Sequence, residues 1–505
     1  MKNAKACLQC RAAKRKRRLL SGKNTCFACQ QRGEPCSSTE LSKASITTQL
    51  APLERVRTTI SPITNIDDLL SPQIQWELVT KYMAFIHDRP QSIFHEPTLR
   101  DQVQQREIHP GLLLAICSLA CRFSHDPAVR ALEDCLTRAS KMRLQANLEQ
   151  FCLATIQTCI LVANASSANL NPESEALYFG IAIRMAQIMR LPHGKRSENP
   201  AVTETRKRDN DYAVDLPIDE STFQQPEFRL RGSTGSTLGI WAYKIMLAKI
   251  FGHIQDLNRC NVVRGLCQQD FDGHVKLLAE QLDDWVLNLP SHMQLSDRNI
   301  REHCSKGLGG TFIDLHLDLH HYATLLFFNY LESRRLYSSN KLHYSQLCKS
   351  HAFRFSELLQ ISRERKGCEA VHAAVGHMAI VSSAVLVHVL LMGEVGELEA
   401  ARSGLISNFK TLLELKMFWP SLEKLISRLS LFQSALIESL ETDPRKMDGW
   451  MARFLTEYAP PSDDFIDSDP TPPISISLTR QGTVSDKDGF WHRNNTLTEL
   501  LNGLR

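Results

Sequence analysis

The stretch ACLQCRAAKRKRRLLSGKNTCFACQQRGEPC, Ala6 to Cys36, decides how the rest of this chain is read. It holds five cysteines: Cys7, Cys10, Cys26, Cys29 and Cys36. Four of them form two C-x-x-C pairs, and a dense basic run follows the first pair. A C-x-x-C pair spans one turn, so both thiolates can face one tetrahedral metal ion. Two such pairs and a trailing cysteine point to zinc. A unit this short and polar cannot build an apolar core and needs the metal in order to fold. The run from Arg11 to Arg18 has helix-forming composition and no Gly or Pro. A small cationic helix held by zinc suits phosphates and base edges. Taken alone, KRKRR reads as a nuclear localisation signal or a solvated charge run. Beside paired C-x-x-C motifs, nuclear targeting and DNA contact are both expected of it.

Outside this stretch the charge balance changes sign. Residues 1–36 carry ten Lys/Arg against one Glu, a net +9; the remaining chain carries 49 Lys/Arg and 54 Asp/Glu, a net −5. This is a basic arm on a near-neutral body. At 505 residues, with 43% apolar content, the chain has the size and composition for a large core. MKNAKACLQC is polar and basic, with no apolar signal core, so a reducing compartment is expected. Clustered cysteines there mean metal, not disulfides. The chain reads as having no apolar run near 20 residues without charges, so no membrane-spanning helix is expected. Cys117, Cys121, Cys152 and Cys159 sit in apolar helical patterns and read as buried free thiols.

Residues 37–73 contain scattered Ser, Thr and Pro and read as a linker. Ile46, Leu50, Leu53 and Ile60 hint at heptad spacing, too brief for a coiled coil, so a homodimer through this linker has little support. From 74 to 457 the pattern is helical. GLLLAICSLACR (111–122) is apolar nearly all round, as a buried helix is. Segment 147–164 has Leu148, Phe151, Leu153, Ile156, Ile160 and Leu161 at helical spacings. Segment 173–191 has an apolar stripe of Leu177, Ile181, Met185 and Ile188 at helical spacing. Further helices are expected near 237–257, 271–288, 313–334, 343–364, 369–393, 399–416 and 420–440. Alternating strand patterns are scarce, so the fold class is mostly α: a small zinc-held module and a large all-α domain. Residues 192–236 read as a long polar loop. Residues 458–505 read as a largely disordered acidic and Pro-rich tail, with a short amphipathic helix at its end.

The N-terminal spacing Cys7-x2-Cys10-x6-Arg17-x8-Cys26-x2-Cys29-x6-Cys36 resembles the fungal binuclear zinc cluster, Zn(2)-C6, of transcription factors. That resemblance implies six thiolates around two zinc ions, with Cys7 and Cys26 bridging both. Arg11, Lys14 and Lys16 fall where the family has basic residues. The third cysteine position is Arg17, and no Cys or His between Cys10 and Cys26 replaces it. The resemblance then leaves one zinc with Cys7, Cys26, Cys29 and Cys36, and the other with Cys7, Cys10 and Cys26. Arginine stays protonated and cannot be a ligand. Three readings stay open: two zincs with water as a weak fourth ligand, one zinc with a loose first half, or a cysteine lost in the gene model.

The same resemblance implies that the basic helix enters the major groove and reads a CGG triplet. Lys14 would contact the bases, since its ammonium suits guanine O6 and N7. Arg11, Arg15, Lys16 and Arg18 would meet phosphates. The body resembles the fungal-specific transcription factor domain. The residues that carry this are SIFHEPTLR (Ser92 to Arg100), GLLLAICSLACRF (Gly111 to Phe123), ALYFGIAIRMAQIMRLPH (Ala176 to His193), LPIDESTF (Leu216 to Phe223) and LHLDLHHYATLLFF (Leu315 to Phe328). A family helix near 208–211, between ETRKR and DYAVDLP, is missing.

Enzyme patterns find no support. His316 and His320 stand i, i+4 but without a HExxH frame, and are expected to be packed or surface histidines. His95-Glu96 is followed by Pro97, and Gly307-Leu-Gly-Gly310 lacks the Lys-Ser/Thr of a phosphate loop and reads as a turn. The acidic tail around Asp463, Asp464, Phe465, Asp467 and Asp469 would either recruit transcription machinery or stay a solvated tail. Two functions remain. One is a nuclear, sequence-specific regulator on double-stranded DNA, such as one controlling a biosynthetic gene cluster. The other is a nuclear interaction protein that keeps the fold with weak or no specific DNA binding.

Overall fold

The structure, a computed structural model, describes residues 66, 69–89, 92–191, 216–224, 238–331, 340–427, 429 and 432–433. The expected zinc module, all but the end of the 37–73 linker, the helix expected to be missing near 208–211 and the tail after 457 lie outside the described residues. The described chain is helical, and the one β-type pairing among its residues is an isolated bridge between Ile218 and Leu238.

The first helix, α1 (Pro72–Phe85), opens with Ser71 as N-cap, whose side chain accepts from the Ile74 N–H, and proline at the first helical position. It leads into α2 (Glu96–Gln104), α3 (Pro110–Ala120), α4 (Glu133–Ala146), α5 (Leu153–Ala168) and α6 (Pro172–Ile188). Every residue of α3 from Gly111 to Ala120 is buried, as its uninterrupted apolar sequence requires. It is wrapped by α1, α4 and α5, while α6 lies along α5.

The second half comprises α7 (Ile240–Arg264), α8 (Gln268–Leu287), α9 (Asp297–Ser305), α10 (Gly309–Phe327), α11 (Lys341–Glu364), α12 (Ala373–Met392) and α13 (Leu398–Lys416). Helix α10 is its axis and packs against α7, α8, α9, α11 and α12. Its residues are buried at almost every position, polar ones included.

Several expectations change. Segment 147–164 divides: Asn147 ends α4, and α5 begins only at Leu153, with Phe151 and Leu153 exposed. On α6 the buried stripe is Tyr178, Ala182 and Met185, while Leu177 and Ile188 are exposed. The register is set by α5, where Ile156, Cys159, Val162 and Ala163 receive Tyr178 and Met185. Cys117, Cys121 and Cys159 are buried thiols as expected, but Cys152 is half-buried because it is the N-cap residue of α5. The Gly307–Gly310 stretch is a turn only at its start. Gly307 has a φ of 74°, and Gly309 and Gly310 already belong to α10.

The membrane expectation rested on a misread run. Helix α12 has 20 residues without Asp, Glu, Lys or Arg, long and apolar enough by length and composition to cross a membrane. Here it is a core helix, largely buried and packed against α10, α11 and α13.

Candidate functional site: a buried ionic hub

The sequence of α10, TFIDLHLDLHHYATLLF, places Asp314 and Asp318 four residues apart on one face of an otherwise apolar helix. Across from them, IWAYKIMLAK in α7 delivers Lys244. Its Nζ donates to Asp314 Oδ2 at 2.6 Å and to Asp318 Oδ2 at 2.7 Å. His372, the residue before α12, donates from Nε2 to Asp314 Oδ1 at 2.7 Å. All four side chains are at most one-tenth exposed. Three helices thus meet at one carboxylate.

Burial opposes ionisation here, but the pairing outweighs it for two of the groups. Burial pulls the Lys244 ammonium down, and Asp314 and Asp318 together push it above the usual lysine range. Burial would raise Asp314, yet His372 and Lys244 hold its carboxyl well below the usual range. For Asp318 burial is the largest influence and Asp314 adds to it, so the carboxyl stays raised although Lys244 and, more weakly, His372 pull it down.

The hub also ties in the first half of the fold. The guanidinium of Arg89, just after α1, lies on Gly310: a Cβ there would come within 2.8 Å of Arg89 Nε and 2.7 Å of the Glu369 carbonyl. Glu369 and Asp314 supply negative charge to Arg89. Thr311 donates its hydroxyl to the Asp88 carbonyl at 3.1 Å. Glycine at 310 is therefore a requirement of close approach. At the N-terminus of α7, one turn before Lys244, buried Glu220 accepts from the Ile240 and Trp241 N–H groups at 3.2 and 3.3 Å and so caps the helix.

This arrangement fastens helices together. It holds no nucleophile beside a base, and among the described residues no group of three His, Cys, Asp or Glu is arranged to hold a metal. A surface depression of about 290 Å³ is an open groove between α7 and α8 floored by Tyr243, Met246, Ile250 and Trp285. His316 donates from Nε2 to the Met293 carbonyl at 3.1 Å, and His320 Nδ1 meets His351 Nδ1 at 2.9 Å. Both are packed histidines, as expected. Sequence analysis singled out His316 and His320 on this helix and passed over Asp314, Asp318 and their bond to Lys244. The signal was present: three charges in two apolar helical runs, each needing a partner.

The residues expected to bind zinc (Cys7, Cys10, Cys26, Cys29, Cys36) and DNA (Arg11, Lys14, Arg15, Lys16, Arg18) lie outside the described residues. Comparison with known proteins supplies the context. Residues 79–209 match the family model of the fungal specific transcription factor domain. Over those residues the chain is similar to that domain. It is 22% identical over 452 residues to an uncharacterized transcriptional regulatory protein of Schizosaccharomyces pombe, covering 74% of this chain and 54% of that one. It is 20% identical over 416 residues to the Zn(2)-C6 fungal-type transcription factor FTF1c of Fusarium oxysporum f. sp. lycopersici, covering 70% of this chain and 44% of that one. The chain thus spans about half the length, or less, of these curated relatives. No solved structure matches it. The matched domain and the relatives are those of transcription regulators, not enzymes.

Proposed function

We propose that this chain is a nuclear, zinc-dependent transcription regulator that binds CGG-type DNA through the helix at Arg11 to Arg18. The observation that carries the proposal is the cysteine spacing from Cys7 to Cys36, in a chain whose relatives include Zn(2)-C6 fungal-type transcription factors. The donor chemistry fits zinc. Cys7, Cys26, Cys29 and Cys36 make a four-thiolate set, the number a closed structural site needs. Cys10 with Cys7 and Cys26 makes three, and Arg17 adds no donor. When bound, zinc supplies folding free energy to a segment that has no apolar core.

The chain as it stands is expected to hold one zinc tightly, and Arg17→Cys to hold two, read as zinc per chain by native mass spectrometry. Two tightly held zincs on the unaltered chain would show that Arg17 does not weaken the cluster.

For DNA, Lys14→Ala is expected to weaken binding to a CGG site by about 1–3 kcal/mol, with the loss centred on the guanines. Arg15→Ala removes a phosphate contact, so it is expected to weaken specific and nonspecific DNA alike and to flatten the salt dependence. An equal loss for Lys14→Ala on both DNAs in a gel-shift titration would remove Lys14 from the base-reading position. Control of a biosynthetic gene cluster and recruitment of transcription machinery belong to the same proposal. A genome-wide map of bound sites, with transcript levels in a deletion strain, tests both.

A further inference from the structure

We propose that Cys304 and Cys368 form a modification site, a dithiol that a hydroperoxide closes to a disulfide. Cys304 lies in the last turn of α9 and Cys368 in the segment that leads from α11 into α12. They are 64 residues apart in sequence, yet their sulfurs are 3.2 Å apart. A disulfide bond is about 2.05 Å long, so the sulfurs have a little over 1 Å to travel.

The surroundings hold the two sulfurs together. The segment that bears Cys368 is pinned at three points. Its N–H donates to the Arg365 carbonyl at 3.1 Å, its own carbonyl accepts from the Ser362 hydroxyl at 3.0 Å, and the Ala370 N–H donates to the Ser362 hydroxyl at 2.9 Å. On the other side, α10 opens on Gly309, where a Cβ would lie 2.5 Å from Cys304 Sγ and 2.3 Å from the Gly367 carbonyl. A side chain at 309 would drive Cys304 and the Gly367–Cys368 segment apart.

The two thiols differ in access, which assigns their order. Cys304 is partly exposed and Cys368 is buried. Burial, and the Cys304 sulfur beside it, push the Cys368 thiol up to about 12. Cys304 therefore meets the oxidant first. Its thiolate attacks one peroxide oxygen, the O–O bond breaks, and the departing hydroxide takes up the thiol proton as water. Cys368 sulfur then attacks the sulfenic sulfur of Cys304; the S–O bond breaks, and a second water leaves with the Cys368 proton. Two thiols and one hydrogen peroxide become one disulfide and two waters. Each sulfur gives up one electron, and the peroxide oxygens take up both.

The bond would join α9 to the segment that carries His372, four residues on, whose imidazole holds Asp314 in the ionic hub. Val371 in the same segment accepts from Trp419 Nε1 at 2.6 Å. Oxidation thus stiffens the junction at which α9, α10, α12 and Trp419 meet.

The test treats zinc-loaded, full-length protein with hydrogen peroxide, blocks residual thiols and digests with trypsin without reduction. Cleavage leaves Cys304 alone in peptide 302–306 and Cys368 alone in peptide 367–402. The expected result is a single species in which these two peptides are joined, released by a phosphine reductant. The melting temperature of the helical body is expected to rise by several degrees on oxidation, and not to rise in Cys304→Ser. Recovery of both peptides separately with blocked thiols would overturn the proposal. So would Cys304 advancing to the sulfinic acid while Cys368 stays free. Both readouts on the unaltered chain stand whether or not the serine variant folds.

Discussion

Lys244→Met is expected to lower the stability of the helical body by about 3–5 kcal/mol, the usual loss when one partner of a buried ion pair is removed. The methionine fills nearly the same volume, so the loss comes from charge and not from a cavity. Two carboxylates, on Asp314 and Asp318, would remain on one face of α10 with no ammonium within reach. Asp318 would take up a proton, since Lys244 is the cation it is hydrogen-bonded to and Asp314 faces it. Asp314 would keep its charge through His372. The compensated variant Lys244→Met with Asp318→Leu is expected to recover most of the loss, because replacing a buried ion pair with apolar groups is close to neutral. Guanidinium titrations of the three proteins, followed by circular dichroism, give the comparison. A loss below about 1 kcal/mol for Lys244→Met would mean that water already reaches the hub.

That hub also shows where the sequence was legible and where it was not. Helices such as α3 and α12 are readable because an unbroken apolar run has one outcome in a folded body, burial on all sides. Helix α12 shows the limit of the same rule, since a 20-residue charge-free run satisfies core packing and membrane crossing alike. On α6 the helix was legible but its buried face was not. The segment is apolar round most of its circumference, so α5 chooses Tyr178 and Met185 over Leu177 and Ile188. Helices α4 and α9 carry mostly polar residues, and only a few inward positions (Leu136 and Leu144 on α4, Ile300 and His303 on α9) mark their faces. The hub required knowing that α7 meets α10, a contact between residues some 70 positions apart that no local pattern encodes. The candidate zinc and DNA site is the reverse case. Its evidence is wholly local spacing, from Cys7 to Cys36, which is why it can be read without a fold.

Mild acid is expected to unfold the helical body, with the loss beginning near pH 6.5 and growing down to about pH 4. Four histidines in the second half are held neutral. Burial lowers His316 to about 4, His320 to about 3, His351 to about 4 and His388 to about 4, against 6.5 for a free imidazole. The geometry agrees. His316 donates to the Met293 carbonyl, with its ring edge-on to Phe312, and offers no anion to an imidazolium. His320 and His351 share one proton between two Nδ1 atoms 2.9 Å apart, so charging both rings would set two N–H groups against each other. Because the folded values lie below the unfolded one, these groups cost nothing above pH 6.5. Below it the unfolded chain binds protons that the fold refuses, and stability falls until the folded values are reached. At pH 5 each histidine removes roughly 2 kcal/mol. Asp318, pushed up to about 6, works in the opposite direction, because the fold takes up its proton before the unfolded chain does. Its single gain is smaller than four losses, and the sum approaches the ~5–15 kcal/mol that holds a typical domain together. Melts by circular dichroism from pH 7.5 down to pH 5 should show the midpoint falling steeply below pH 6.5. His388→Leu should make that fall shallower by one proton. A midpoint that stays level to pH 5 would mean that these rings accept protons without breaking the packing around α10 and α11.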